Sequence, residues 1–232
     1  GPGMKERGRN NDMFDKRINI FTGHYGTGKS EIAVNAAVSI KQERENVVLA
    51  DMDIVNPFFR SLDAKNILES RGISVLAPLF ANTNVDVPAL IPEIAAAIKN
   101  RNNSVILDVG GDEDGARVLG RYRSDIQDGE YDMFFVINRA RPLTGDLEDT
   151  LQYMEDIQEA SRLKVTKLIS NTHYLDQTTP DDVRHGLELS RQVSEKTGIP
   201  IAAVSVMEGM EYLAKDPDIP LFVLRKNIRL PF

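Results

Sequence analysis

The fold of this chain is decided by residues 23–30, which read Gly23-His24-Tyr25-Gly26-Thr27-Gly28-Lys29-Ser30, or GHYGTGKS. They match the pattern G-x-x-x-x-G-K-[ST]. In that pattern the glycines let successive backbone N–H groups curl around an anion at the start of a helix. The pattern is meaningful only between a strand and a helix, so the flanking sequence tests it.

The segments on either side of this loop have the required periodicity. Residues 18–21 form a short apolar run typical of a strand, and residues 29–42 repeat apolar positions at three- and four-residue spacing, which predicts a helix. The same alternation continues along the chain. The further predicted strands are 47–50, 73–76, 104–109, 133–137, 165–170, 201–206 and 221–224, and the further predicted helices are 57–70, 90–99, 145–161, 180–196 and a short one near 208–214.

This alternation predicts an α/β fold with a mostly parallel central sheet and helices on both faces. With the loop motif at 23–30, we expect the three-layer α/β/α arrangement of P-loop NTPases. We expect residues 17–232 to form a single P-loop nucleotide-binding domain, because no Pro/Gly/Ser-rich linker or internal repeat interrupts them. Residues 1–16 are expected to be a tag scar, Gly1-Pro2-Gly3, followed by a flexible polar tail.

Composition excludes several classes of function. The 232 residues contain 28 Lys and Arg against 35 Asp and Glu, a net charge of −7, which argues against a broad nucleic-acid surface. Cysteine is absent, so disulfide scaffolds, thiolate metal or cluster sites and cysteine nucleophiles are excluded for this chain. No apolar run approaches the 18 or so residues of a membrane span. We therefore expect a cytoplasmic protein.

Two downstream segments supply carboxylates at predicted strand ends. Asp51-Met52-Asp53 follows the second strand, and Asp108-Val109-Gly110-Gly111 ends a later one as a D-x-x-G element. Each aspartate alone is more often a turn or cap residue. Beside a phosphate loop, however, such carboxylates can hold Mg²⁺ or orient an attacking water, and a glycine amide can contact a γ-phosphate.

With these motifs together, the chain resembles the deviant-Walker ATPases of the MinD/ParA/CobQ type, in the SIMIBI class of P-loop NTPases. The resemblance extends over residues 17–224. It rests on GHYGTGKS, on DMDIVNPFFR at 51–60 as a first switch, on DVGGDEDGARVLGRY at 108–122 as Walker B and second switch, and on LISNTH at 168–173.

The resemblance implies ATP and Mg²⁺ as cofactors and assigns roles to residues. Lys29 and Asp53 are the implied catalytic residues, with Asp53 positioning the hydrolytic water. The implied metal site consists of Ser30, Asp51, Asp53 and Asp108. The implied nucleotide-binding residues are Gly23, His24, Tyr25, Gly26, Thr27, Gly28, Lys29, Ser30, Glu31, Gly111 and Asn171, of which Asn171 would contact the adenine.

One position departs from the family pattern. The signature lysine of the family, which reaches across an ATP-bridged dimer, corresponds to His24, a shorter side chain that is only partly charged at neutral pH. Whether the chain is a monomer or an ATP-dependent homodimer therefore stays open. Asn138-Arg139-Ala140-Arg141 and Asn171-Thr172-His173-Tyr174 both lack the guanine-specific N-K-x-D pattern. That the base is adenine is implied mostly by the family resemblance.

The expected function is a Mg²⁺-dependent ATP-binding protein with slow ATPase switch activity on an unidentified protein client. The alternative is a small-molecule kinase or ATP-dependent ligase on the same fold. A partition-type scaffold that binds DNA or membrane ranks third, since the net charge disfavours DNA and Pro231 disfavours a membrane helix at the end of the chain. Arg60, Arg117, Arg121 and Arg123 follow the switches and could sense phosphate, although salt bridging is the commoner role of such residues.

Overall fold

The computed structural model describes residues 13–24, 27–53, 62–77, 90–138, 146–171, 179–214, 216 and 218–225. Within that part of the chain, strands alternate with helices, with the two exceptions to the prediction described below. The strands are β1 (Ile18–Thr22), β2 (Val47–Asp51), β3 (Ile73–Leu76), β4 (Ser104–Asp108), β5 (Tyr131–Ile137), β6 (Lys167–Asn171), β7 (Ile201–Met207) and β8 (Leu221–Leu224). The helices are α1 (Lys29–Lys41), α2 (Leu62–Ser70), α3 (Leu90–Lys99), α4 (Glu113–Gly120), α5 (Leu147–Ser161) and α6 (Pro180–Thr197).

The eight strands form one sheet in the order β3-β2-β4-β1-β5-β6-β7-β8. All seven pairings between these described strands are parallel. Parallel strands end at the same edge of a sheet, which we call the carboxyl edge; the opposite one is the amino edge. The predicted α/β class with a mostly parallel sheet is confirmed.

Two hydrophobic layers cover the faces of the sheet. Successive strand residues point to opposite faces, so Phe21 packs with α1 through Ile32, while Ile20 packs with α3 and α5 through Ile98 and Ile157. Strands buried on both faces read as continuous apolar runs, and this is why β5 is buried along its whole length.

The predicted tail is wrong at its inner end. Phe14 is only 2% exposed, and its ring makes edge contacts with Phe21, Phe134 and Phe222. Met13 beside it is also buried. The polar composition of residues 4–15 hid this apolar pair, which adds its burial to the core beneath β1. Residues 1–12 lie outside the described part of the chain.

Local capping explains where α6 begins. The Thr179 hydroxyl accepts from the Asp182 N–H, and the Asp182 carboxylate accepts from the Thr179 N–H, a reciprocal capping box that leaves Pro180 at the first helical turn. The sequence predicted this start. At the other end, Gly198 adopts a left-handed conformation with φ of 75°, which favours glycine.

Two short elements differ from the prediction. Helix α4 was not predicted; it begins after Asp112, whose carboxylate accepts from the Gly115 N–H at 2.7 Å. The predicted short helix near 208–214 is instead one turn of 3-10 helix, Glu211–Leu213. Residues 57–61 of the predicted second helix lie outside the described residues, and its remainder is α2.

Candidate functional site at the carboxyl edge

The strand order brings the ends of β1, β4 and β2 together. Asp108 at the end of β4 is in register with Phe21 on one side and with Asp51 on the other. Beyond the strands, the Val109 N–H donates to the Phe21 carbonyl at 3.0 Å, and the Met52 N–H donates to the Asp108 carbonyl at 2.9 Å. In open α/β sheets ligands bind at this edge, where neighbouring connections diverge.

The phosphate loop connects β1 to α1 with a backbone that requires glycine. Gly28 has φ of 84°, and a Cβ added there would lie 2.3 Å from Asn171 Nδ2. At Gly23 an added Cβ would lie 2.8 Å from the Val136 carbonyl oxygen. Tyr25 and Gly26 lie outside the described residues. The helix therefore starts with its N–H groups directed at the space above the loop, the arrangement that suits an anion.

The loop is closed by Thr27 and Asn171. The Thr27 N–H and hydroxyl both donate to the His24 carbonyl, at 3.1 and 2.8 Å. The Asn171 amide, at the end of β6, donates to the Thr27 carbonyl at 2.8 Å. Asn171 is thus a support of the phosphate loop in this structure; the adenine contact assigned to it by resemblance stays a prediction.

Lys29 lies in a cluster of carboxylates. Its Nζ donates to Asp108 Oδ1 at 2.8 Å, and the two side chains are only 7% and 3% exposed. Burial by itself would lower the pKa of Lys29. The Asp108 carboxylate, with Asp53 and Asp51 beyond it, outweighs that effect and raises the pKa, so the ammonium is charged at neutral pH.

Asp51 and Asp53 form a tight turn beside this pair. The Asp53 N–H donates to Asp51 Oδ1 at 3.1 Å, which fixes the backbone as the chain leaves β2. The Asp53 carboxylate lies against the second switch, since a Cβ added to Gly110 would be 3.4 Å from Asp53 Cγ. The structure thus brings Lys29, Asp51, Asp53 and Asp108 together, as the motifs predicted.

The second switch is packed tightly behind these residues. A Cβ added to Gly115, in the first turn of α4, would lie 2.3 Å from the Gly110 carbonyl oxygen, so only glycine allows α4 to approach Gly110. Asp112 between them caps the helix. The close approach ties Gly110 and Gly111 to the start of α4.

Tyr153 on α5 is a site residue that the sequence did not reveal. Its ring stacks on His24 with centroids 3.4 Å apart, and its hydroxyl donates to the Gly111 carbonyl. Burial lowers the pKa of His24, so the imidazole is neutral at physiological pH. Burial, with a smaller contribution from Asp112, raises the pKa of Tyr153 and keeps its hydroxyl a donor. Its spacing from Met154 and Ile157 places Tyr153 near the buried face of α5, but nothing local predicts its partners.

The donor set of the site fits Mg²⁺ shared with a phosphate. The described residues contain no group of three or more His, Cys, Asp or Glu side chains arranged to hold an ion by themselves. Mg²⁺ rarely uses such cages, and takes one or two carboxylates together with waters and phosphate oxygens. Ser30 next to Lys29, with Asp51 and Asp108 at adjoining strand ends, offers that kind of hard oxygen donor.

The arginines that follow the second switch make ion pairs and hydrogen bonds on and near α4. Arg117 pairs with Asp114 at 2.9 Å and with Glu113 at 3.2 Å on the surface of α4. Arg123 donates to the Arg162 and Ile126 carbonyls and pairs with Asp128. Salt bridging, the commoner role, is confirmed for both. Arg60 and His173 lie outside the described residues. Among the residues that are described, no helix has the length and apolarity to cross a bilayer.

The chain is similar to a curated protein of known name. The iron-sulfur cluster carrier protein of Methanococcus maripaludis is 26% identical over 201 residues, which cover 84% of this chain and 60% of the relative. No protein-family model matches the chain.

Solved structures share the architecture at low identity. Cell division protein FtsY from Thermotoga maritima has a TM-score of 0.54 at 22% identity, covering 82% of this chain and 61% of its own. Chloroplast FtsY from Physcomitrella patens has a TM-score of 0.54 at 20% identity, covering 84% and 59%. FtsY from Elizabethkingia anophelis, solved in complex with GDP, has a TM-score of 0.50 at 19% identity, covering 82% and 57%. The chain thus spans about three fifths of the length of these relatives.

The sheet, the phosphate-loop motif and these likenesses define the fold. The chain is a P-loop protein with the fold of the SIMIBI class of NTPases, as its sequence predicted. In this chain, the strand that carries Asp108 lies directly beside the strand that leads into the phosphate loop.

Proposed function

We propose that the chain binds ATP together with Mg²⁺ at the carboxyl edge and hydrolyses it slowly, as a switch that acts on a partner molecule. The observation that carries this proposal is Lys29, buried in the first turn of α1, charged, and hydrogen-bonded to Asp108. A buried ammonium beside helix N–H groups can neutralise the oxygens of a β- or γ-phosphate.

We assign metal binding and positioning of the attacking water to the neighbouring serine and aspartates. Ser30 and Asp108, with Asp51 as support, would hold Mg²⁺, which when bound neutralises phosphate charge. Asp53 would accept a hydrogen bond from the attacking water and orient it toward the γ-phosphate. Its position against Gly110 supports this role, since the Gly111 amide is the group proposed to contact the same phosphate. Lys29 would stabilise the charge that develops during transfer.

ATP rather than GTP is part of the proposal. The two segments that could read a base, Asn138 to Arg141 and Asn171 to Tyr174, lack the lysine and aspartate that recognise guanine. The FtsY of Elizabethkingia anophelis was solved with GDP, so a shared fold does not by itself select the base.

The proposal also includes a protein client and a cellular location. We place the chain in the cytoplasm, with an unidentified protein client and with homodimerisation left to experiment. The curated relative is named an iron-sulfur cluster carrier, which makes cluster chemistry one place to seek the client. This chain contains no cysteine, so it offers no thiolate ligands of its own for a cluster.

Titration calorimetry with ATP and with GTP, each with and without Mg²⁺, tests the proposal, followed by phosphate release at saturating ATP. We expect tight binding of ATP that depends on Mg²⁺, and slow phosphate release. Equal or stronger binding of GTP would overturn the base assignment. Phosphate appearing on an added metabolite, rather than in solution, would replace the switch with a kinase.

A further inference from the structure

Three segments far apart in sequence meet at one aromatic stack. His24 belongs to the phosphate loop, Tyr153 to α5 and Gly111 to the second switch. The imidazole and phenol rings are nearly parallel, 17° apart, with centroids separated by 3.4 Å. The Tyr153 hydroxyl donates to the Gly111 carbonyl, across 42 residues of chain.

The His24 side chain is directed toward a residue of its own chain. In the family that the sequence resembles, this position carries the lysine that reaches a partner subunit. Here the side chain is half-buried and faces a tyrosine of its own chain. A ring held in this way fills a contact within one subunit.

We propose that Tyr153 is a positioning residue that couples the second switch to the phosphate loop within a single chain. It does so by stacking on His24 and holding the Gly111 carbonyl. The inference rests on the proposed ATPase function, because it concerns how the γ-phosphate contact of Gly111 is set.

The packing around Tyr153 makes the coupling rigid. Phe135 of β5 lies beside its ring, with centroids 5.8 Å apart, and the neighbouring Met154 is buried in the core. The hydrogen bond from the hydroxyl therefore comes from a fixed point. The anchored carbonyl belongs to the peptide between Gly111 and Asp112, the N-cap residue of α4, so the contact restricts a glycine backbone that is otherwise free and fixes it against the start of that helix.

Two tyrosine-to-phenylalanine variants isolate the hydroxyl. Tyr153→Phe keeps the stacked ring and removes the donor to Gly111, whereas Tyr212→Phe removes a hydroxyl from a side chain that is 63% exposed. For Tyr153→Phe we expect kcat to fall roughly fivefold to tenfold, as for the loss of one buried hydrogen bond used in the transition state, with ATP affinity within about twofold. Tyr212→Phe should match the wild type. A merely structural role would instead lower the melting temperature and leave kcat unchanged while the protein is folded.

A histidine variant tests the stack. His24→Ala removes the ring from the stack and should lower kcat roughly tenfold. Combined with Tyr153→Phe, His24→Ala should add much less than its own effect, because both changes break one coupled unit. Turnover per chain should not change with protein concentration.

The outcomes separate this inference from the function it rests on. If the wild type neither binds nor hydrolyses ATP, the proposed function fails. If the wild type is active and both Tyr153→Phe and His24→Ala match it, the coupling is wrong and the ATPase function stands. Turnover per chain that rises with protein concentration would overturn the single-chain arrangement.

Discussion

Two lysine–aspartate pairs lie at opposite edges of the sheet and differ in their surroundings. At the carboxyl edge, Lys29 and Asp108 are 2.8 Å apart with side chains 7% and 3% exposed. At the amino edge, Lys167 and Asp132 are 3.2 Å apart with side chains 24% and 6% exposed. The first pair has two more aspartates near it, Asp51 and Asp53. Asp132 instead accepts a hydrogen bond from the Thr166 hydroxyl at 2.8 Å.

The difference distinguishes a candidate functional site, at Lys29 and Asp108, from a structural ion pair, at Lys167 and Asp132. Lys167 and Asp132 join the starts of β6 and β5, and the Lys167 ammonium also lies 5.7 Å from the centre of the Phe134 ring. Each charge there has a neighbour of suitable chemistry, as expected for a structural contact. The Lys29 cluster gathers carboxylates beneath a helix N-terminus instead, an arrangement suited to a phosphate and a divalent cation.

Replacing the lysines should give the largest contrast. Lys29→Ala is expected to weaken ATP binding by at least roughly a hundredfold, because it removes the charged donor to the phosphates. Lys167→Ala should leave ATP affinity unchanged and lower the free energy of unfolding by about 1 kcal/mol, since its side chain is partly exposed. Calorimetry and urea unfolding measure the two effects. Equal ATP affinity in Lys29→Ala and wild type would remove the distinction between the pairs.

Replacing the aspartates by asparagine should separate catalysis from stability. Asp53→Asn is expected to reduce kcat on the order of a hundredfold with ATP binding preserved, because a neutral amide orients and polarises the attacking water less strongly than a carboxylate does. Asp132→Asn should preserve kcat and lower the melting temperature, by about 2–4 °C for each kcal/mol lost. Single-turnover kinetics and thermal unfolding provide the readouts. A hydrolysis defect in Asp132→Asn would show that the amino edge is not merely structural.

The stability of the protein in acid should depend measurably on Glu130, another carboxylate at the amino edge. Burial alone would raise the pKa of Glu130, but the Gln127 N–H and the guanidinium groups of Arg17 and Arg101 outweigh it and lower the pKa. A lowered pKa in the folded state adds stability above the unfolded value of about 4.3, and this is lost as pH falls through the folded value.

The Glu130→Gln variant should therefore be less stable than the wild type at pH 6, by no more than about 1 kcal/mol because the site is partly exposed. The two proteins should converge in acid below the folded pKa. Urea unfolding across that range measures the difference. A gap that persists at the lowest pH would mean that the loss comes from packing, not from charge.

The sequence predicted the parts of the site that depend on local chemistry. The phosphate loop, the start of α1 at Lys29 and the strand-end aspartates follow from short motifs and from periodicity. Parallel strands share a carboxyl edge, so the sequence could also predict that Asp51, Asp53 and Asp108 lie close together.

What the sequence missed depends on contacts between distant segments or on weak local signals. Helix α4 has eight residues, two of them glycine, so its helical propensity is low and its stability comes from packing against α5. Tyr153 could be placed on a helix, but its contact with Gly111 spans 42 residues and exists only after α5 docks. The burial of Phe14 likewise depends on three phenylalanines from different strands.

The Phe14 anchor has a practical consequence for handling the protein. Lys167 Nζ donates to the Met13 carbonyl at 3.4 Å, and Lys16 Nζ donates to the Gly129 carbonyl at 3.0 Å, so the chain enters the domain at the amino edge. A surface or bead attached ahead of Met13 would hold the molecule by the face remote from the phosphate loop. Immobilised in that orientation, the protein would present its carboxyl edge to solution, where a client could be captured and nucleotide exchanged.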